Sequence, residues 1–406
     1  MKDILNQNSK INKMKKFWRF TNLEKQYISK TLDSGLSGET NIKLEKLFCK
    51  KFSTKYAISV NSCTSALHIS MLSLGIGKND EVIVPPLTFI ATSFAPLYVG
   101  AKPVFADIEK DTFNIDPNSI ENKITKKTKA IIAVALYGLP ANLKKIKQIA
   151  KKNNLYLIED NAEAIYGVSN GKIAGYYSDI CVYSFQRSKH LTSGDGGMLT
   201  TNNKKLATLI RKYSDLGYRK LTAQPITNEN FKDKIQHPTY KRHELVGLNY
   251  RMPEVCAAIM ISQLEKSKMF LNMRIKCANS FKRIINKCRW LKLQNTPKKF
   301  RHTYWTLAFV IDKSKTKITW NDFRNEFIRN GGHKYYGAWQ LSYMEPVFLN
   351  KKINGFHYKK GLCPIAEDIQ SQIIQLKTNF ENTSQINLQT KALTKTISSL
   401  TKRFNC

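Results

Sequence analysis

Between Lys55 and about Lys220, short apolar segments alternate with helical ones, and this alternation constrains the fold more than any other feature of the chain. YAISVN, EVIVPP, KPVFAD, AIIAVALYG, LYLIED, DICVYSF and GGMLTT are rich in Val and Ile and bounded by Gly, Pro, Asn or Asp, which predicts strands. TSALHISMLSLGI, TSFAPLYVG and NLKKIKQIAKKNN lie between them. In the last, Leu143, Ile146 and Ile149 fall three apart, on one face of a helix. Such alternation predicts an α/β fold, a mostly parallel sheet with helices on both faces. Sheets of this kind bind ligands in the crevice at the carboxyl ends of their strands.

After Arg251 the pattern changes. PEVCAAIMISQLEKSKMFLNMRIKCANSFKRIINK reads as one long helix with Pro253 near its first turn, where proline is tolerated. TYWTLAFVI predicts a strand, TWNDFRNEFIRN a helix capped by Thr319 or Asn321, and PIAEDIQSQIIQL a further helix. A chain of 406 residues exceeds the roughly 250 to 300 at which single cores stop growing, so two domains are expected. The division predicted is a large ligand-binding domain over 36–252 and a smaller C-terminal α+β domain over 253–406. Residues 1–35 are expected to pack near the small domain.

Lys and Arg number 66 against 30 Asp and Glu, a net charge of +36, which suits an anionic partner. The basic residues are spread evenly, so they read as a solvated surface and not as the dense tract of a nucleic-acid site. The start, MKDILNQNSKINKMKKFWRF, lacks the apolar core of a secretion signal, and no run approaches the roughly 20 apolar residues of a membrane helix. Eight cysteines without a CxxC pair read as reduced thiols of a cytoplasmic protein. No metal, nucleic-acid or membrane partner is expected.

Four strand ends carry the polar groups that matter. After AISV comes NSCTSALH, which is either a phosphate-binding turn with free backbone N–H groups or an ordinary Ser/Thr cap. After LYLIE comes DNAEA. Asp160 there suits the protonated ring nitrogen of pyridoxal phosphate (PLP), or it caps a loop. After DICVY come Ser184, Lys189 and SGDGG, which places Lys189 at the crevice mouth, where an amine forms a Schiff base with a carbonyl, or on the solvated surface. PPLTF sets Thr88 and Phe89 after EVIV, and Phe89 either stacks on a flat cofactor or joins the core. Together they stand in the order of a fold-type I PLP enzyme. GxxxxGK[ST] and a strand-linked GxGxxG are both missing.

From SGLSGETNIKLEKLF to CPIAEDIQSQIIQLKTN the chain resembles the DegT/DnrJ/StrS family of PLP-dependent sugar aminotransferases. The resemblance is carried in order by NSCTSALH, VPPLTFIAT, VALYGLPANL, IEDNAEAIYG, SFQRSKHLTSGDGGML, GLNYRMPEVCAA and HTYWTLAFVI. It implies that Lys189 holds the cofactor, that Asp160 pairs with its ring nitrogen, and that Phe89 and Ala162 flank the ring. It also implies that Cys63, Thr64 and Ser184 hold the phosphate, and that Asn249 reaches it from the neighbouring subunit of a homodimer with composite active sites. Glu163 stands where Gln or His is common, in which the chain looks like the perosamine-type enzymes. Cys63 replaces a frequent Gly, and Gln186 and Arg187 replace a His-Pro or His-Gly.

The implied reaction moves an amino group from L-glutamate to a nucleotide-linked keto-sugar, a 4-keto-6-deoxyhexose, for amino-sugar and surface-polysaccharide biosynthesis. Lys189 itself separates amination from dehydration, since the related dehydratases carry His there. Substrate-side candidates are Thr88, His243, Arg251 and His333, with Lys241 and Arg242 among the basic groups that suit a diphosphate. Alternatives are an octulosonate or cyclitol acceptor, a PLP-binding sensor without turnover, or a basic nucleic-acid binder on an inactive PLP fold.

Overall fold

The computed structural model of the chain describes residues 17–218, 236–334 and 337–406. All seven expected strands form: β1 (Tyr56–Val60), β2 (Glu81–Val84), β3 (Lys102–Phe105), β4 (Thr128–Val134), β5 (Tyr156–Asp160), β8 (Ile180–Ser184) and β9 (Gly197–Thr201). A small hairpin, β6 (Val168–Ser169) with β7 (Lys172–Ile173), lies between the fifth and sixth of these. The seven make one sheet in the order β1-β9-β8-β5-β4-β2-β3. From β3 to β8 every neighbouring pair is parallel. Strand β9 is antiparallel to both β8 and β1. Residues 185–196 contain no helix to cross the sheet, so the chain turns straight back and β9 pairs in reverse.

Side chains alternate across the sheet with a period of two, and the strands use both faces. Along β4, Ala130 and Ile132 join a core with Leu67, Ile69 and Met71 of the helix Cys63–Ser73. Ile131 and Ala133 point the other way, to Leu143, Ile146 and Ile149 of Leu143–Lys152. The apolar stripe of that helix is thus the face expected from its spacing.

The expected long helix breaks at Lys266, which leaves Glu254–Glu265 and Ser267–Ile285 as separate rods. The first buries Ala257, Met260, Ile261 and Leu264 beside Leu44, Phe48, Tyr183 and Met198 on the large sheet. The second begins in that same core with Phe270 and Leu271. It ends with Cys277, Phe281 and Ile285 in the core of a smaller sheet. We therefore propose that the two domains divide within Ser267–Ile285 and not ahead of Pro253. Helix Asn22–Asp33 of the N-terminal segment lies along Glu254–Glu265, with Glu24 bonded to Gln263 and Lys266.

The smaller sheet is antiparallel, β10 (Leu291–Leu293), β11 (Thr306–Ile311) and β14 (Ile373–Lys377), and the hairpin β12 (Lys352–Ile353) with β13 (Phe356–His357) lies outside it. PIAEDIQSQIIQL, expected as one helix, is helical only over Pro364–Ile369. Its second half becomes β14, because IIQL pairs with β11 and is buried on both faces. Thr319 caps Trp320–Arg329 in a capping box with Asp322. An unforeseen helix, Thr383–Phe404, covers the sheet with Ile386, Leu393 and Leu400. The opposite face of β11, Ala308 and Val310, packs into the core of the large sheet. Among the described residues no helix is long and apolar enough to cross a membrane.

Candidate active site

A cavity of about 1160 Å³ opens at the carboxyl ends of β1, β2, β5 and β8 and is closed from the other side by the smaller sheet. Lys189, Asp160, Ala162, Glu163, Ser184, Cys63, Thr64, Thr88, Phe89 and His333 all line it. Asn249, His243 and Arg251 do not. The Asn249 side chain is exposed and accepts from Arg251 Nε at 3.0 Å, Arg251 also pairs with Asp215, and His243 Nδ1 lies 2.8 Å from the Leu216 carbonyl. Lys241 and Arg242 are likewise outside the cavity lining, and residues 219–235 of the same loop lie outside the described residues.

The turn after β1 starts a helix. Ser62 is its N-cap and accepts from the Ser65 amide at 3.0 Å, while Ser65 Oγ donates to Asn61 at 2.6 Å. The amides of Cys63 and Thr64, at the first two helical positions, have no acceptor within the helix. Burial and nearby Asp160 push the Cys63 thiol well up, so it stays neutral and this residue offers its N–H. Gly197, at the start of β9, runs directly beneath. A Cβ there would lie 2.6 Å from the carbonyl carbon and oxygen of Ser62, so only glycine lets the strand come this close.

Asp160 ends β5 and is buried. Its carboxylate accepts from the Ala162 amide at 3.1 Å and from Thr92 Oγ1 at 3.0 Å, and Thr92 is in turn 3.0 Å from Thr88 Oγ1. Both donors are neutral, and burial raises the Asp160 pKa despite them. Among the described residues Asp160 has no ion-pair partner. A buried carboxylate in this state is short of a cation. Thr88, foreseen on the substrate side, is buried behind Thr92 and bears on Asp160 through it.

Lys189 Nζ donates to Glu163 Oε1 at 3.2 Å and sits 4.4 Å from the ring centre of Trp305. Glu163 also accepts from the Tyr137 amide at 3.0 Å. Burial raises its pKa, and the Lys189 charge opposes that shift. Trp305 reaches this position because Thr303 donates its amide to the Gly138 carbonyl at 2.8 Å. A Cβ on Gly138 would lie 2.6 Å from the Tyr304 nitrogen. The Trp305 indole N–H then donates to the Ser188 carbonyl at 2.9 Å.

The far side of the cavity was not foreseen. It carries Trp305, Trp320 and Trp339, three of the five tryptophans in the chain, with Arg274, Arg324, Gln375 and Lys377. Trp339 meets Phe89 edge to face at 5.1 Å, so Phe89 is neither core nor free: it is 54% exposed inside the cavity mouth. The three tryptophans beyond residue 300 were the available signal, but no local pattern ties them to one site.

An amine, a carboxylate lacking a cation and a turn of open amides share one crevice, and they fit the three ends of pyridoxal phosphate: aldehyde, ring nitrogen and phosphate. The fold and this set of groups define a pyridoxal-phosphate-dependent aminotransferase. The chain belongs to the DegT/DnrJ/EryC1/StrS aminotransferase family, whose model matches residues 19–387. It is 38% identical to the GDP-perosamine synthase of Escherichia coli O157:H7 over 353 residues, 86% of this chain and 88% of that one. It is 31% identical to the GDP-perosamine synthase of Vibrio cholerae over 71% of this chain and 75% of that one. Among solved structures, an aminotransferase from Psychrobacter cryohalolentis superposes with a TM-score of 0.85 at 28% identity, covering 94% of this chain and 98% of that one.

Proposed function

We propose that this enzyme is a sugar aminotransferase that takes its amino group from L-glutamate and gives it to the keto carbon of a nucleotide-linked 4-keto-6-deoxyhexose. The observation that carries the reading is Lys189. Among the described residues it is the one amine placed against Glu163 and Trp305 at the strand ends, in a chain whose relatives include GDP-perosamine synthases.

When bound, pyridoxal phosphate supplies an aldehyde for amines and a ring that draws electrons from the carbon attached to them. Lys189 Nζ would hold the cofactor's aldehyde at rest and give way to the amine of glutamate. Once freed, Nζ would take the proton from the α-carbon of glutamate and, in the second half-reaction, deliver one to the former keto carbon of the sugar. Glu163, 3.2 Å away, steadies Nζ while it carries the proton. Asp160 keeps the ring nitrogen protonated, and Thr92, backed by Thr88, fixes the rotamer of that carboxylate. Phe89 and Ala162 would flank the ring, and the Cys63 and Thr64 amides with the Ser184 hydroxyl would take the phosphate.

In this reading Asn249 serves the cavity of a partner subunit, with Arg251 and His243 beside it, which suits its exposure and its position outside its own cavity. The working unit is then a homodimer. Eight unpaired cysteines suit a reducing cytoplasm. The test is the visible absorbance of the purified protein with PLP before and after L-glutamate, with 2-oxoglutarate measured alongside. Conversion of the band with release of one 2-oxoglutarate per site supports the donor, and a panel of nucleotide-linked keto-sugars then identifies the acceptor. A band that glutamate leaves unchanged rules this donor out.

A further inference from the structure

We propose that Arg19 is a positioning residue of the active site: reaching in from the N-terminal segment, its guanidinium holds the backbone of the Lys189 turn in the shape that aims Nζ into the cavity. The inference rests on Lys189 as the cofactor lysine.

The turn between β8 and β9 closes its base itself, where the Ser193 amide and Thr192 Oγ1 both donate to the Phe185 carbonyl, at 3.0 and 2.9 Å, but residues 186–190 at its tip have fewer bonds of their own. Within it, the Lys189 amide donates to the Gln186 carbonyl at 2.9 Å, and the Ser188 amide is taken by the Gln186 side chain at 2.7 Å. The carbonyls of residues 187–190 are taken by distant parts of the chain. Trp305 takes that of Ser188, as described above. Arg19 takes the other three: Nη1 donates to the carbonyls of Lys189 at 2.6 Å and His190 at 3.5 Å, and Nη2 to that of Arg187 at 3.4 Å. A planar fork of rigid donors suits three acceptors spread over four residues, and a lysine ammonium on a flexible stem does not.

Arg19 is itself held. It is 1% exposed, its own carbonyl accepts from Gln263 Nε2 at 3.1 Å and Lys266 Nζ at 3.3 Å, and its guanidinium lies 5.3 Å from the Phe17 ring and 5.9 Å from that of Phe270. The Phe17 ring also receives the Arg187 guanidinium at 5.5 Å, which ties the segment to the turn from a second side. Among the described residues no carboxylate pairs with Arg19. Burial lowers its pKa to about 10, so the charge persists at neutral pH. Beyond its contacts with Phe17 and Phe270, this desolvated cation spends its donors on the carbonyls of one turn. What it contributes is the shape of that turn.

The experiment compares wild type, Arg19→Met and Arg19→Lys with Leu393→Ala, a destabilised control in the core of the smaller sheet. Hydrogen–deuterium exchange of the peptide covering 185–193 is followed without cofactor. The absorbance band of the PLP-loaded protein is titrated with pH, and kcat and KM for L-glutamate are measured. In Arg19→Met the peptide exchanges faster, the band titrates at a shifted pH, and kcat falls about 100-fold, the scale of a displacement near 1 Å, while KM moves by less than about threefold. Arg19→Lys recovers part of each effect, and Leu393→Ala melts earlier with exchange and titration unchanged. If Arg19→Met does not fold, Arg19→Lys carries the test with a loss of about tenfold in kcat. Wild-type exchange over 185–193 in the folded Arg19 variants overturns the proposal, as does an equal change in Leu393→Ala. Failure of wild type itself to form the band overturns the reading of Lys189 instead, and the exchange data still report whether Arg19 shapes the turn.

Discussion

The wall that carries Lys189, Asp160 and Ser184 stands on the strand ends of one buried sheet, whereas the wall opposite is assembled from three separated pieces of the C-terminal region. On the first wall each polar group follows an apolar strand by no more than a few residues; the ladder fixes Asp160 and Ser184, which end their strands, while Arg19 and Trp305 hold the turn of Lys189. On the second, Trp305 precedes β11, Trp320 opens a helix, and Trp339 belongs to an irregular segment pinned by Gln370, whose side chain donates to the Trp339 carbonyl at 3.0 Å. A sheet edge gives geometry to a few inches of sequence at a time, so it suits chemistry that must not vary. Irregular segments leaning on one another suit the recognition of a particular acceptor.

That contrast is open to attack in order of effect. Lys189→Ala, on the first wall, is expected to lower transfer by about 1,000-fold or more, the scale seen when a covalent nucleophile is removed, with the fold intact by circular dichroism. Full turnover would dissolve the division at once. Gly197→Ala forces a Cβ into Ser62 and costs about 1–3 kcal/mol as overpacking. The expected readout is PLP binding weakened about tenfold or more, followed by equilibrium titration of the band. Trp339→Ala removes an aromatic contact worth about 0.5–1.5 kcal/mol from the second wall. Its KM for the sugar should rise several-fold while the half-reaction with glutamate is unchanged, and an equal loss in both halves would show that the walls do not divide the work.

A last effect concerns pH and lies away from both walls. Burial raises the carboxyl of Glu159 from 4.5 to about 7, against hydrogen bonds from Gly175 and Asn161. The folded state therefore holds that proton more tightly than the unfolded state. Its contribution is complete below pH 4.5 and is withdrawn as pH rises toward about 7, by at most about 1.4 kcal/mol per pH unit. Urea midpoints measured from pH 4.5 to 7.5 should fall less steeply for Glu159→Gln than for wild type. Parallel curves would assign the pH dependence elsewhere.

The same contrast governs what could be read from the sequence. The seven strands of the large sheet and the groups at their ends were legible because burial on both faces leaves unbroken Val/Ile runs, and the functional residues follow directly. Thr92 was missed because its bond to Asp160 spans two strands and no local pattern announces it. β14 was taken for helix since IIQL is too short an apolar run to distinguish the two. Helix Thr383–Phe404 escaped notice because its buried Ile386, Leu393 and Leu400 are diluted by many Thr and Ser, residues of weak helix propensity. Arg19 was one basic residue among 66, and only the folded chain separates it from the rest.

Strand β1 lies at the edge of the sheet, where its strand partner is β9. On a ribosome adding about 5–20 residues per second, that partner emerges about 140 residues later, a delay of roughly 10–30 s. Throughout that interval the turn behind β1, proposed above to take the phosphate, hangs from an unpaired strand. The cofactor therefore has nothing complete to bind on a growing chain, and its capture belongs to the finished protein.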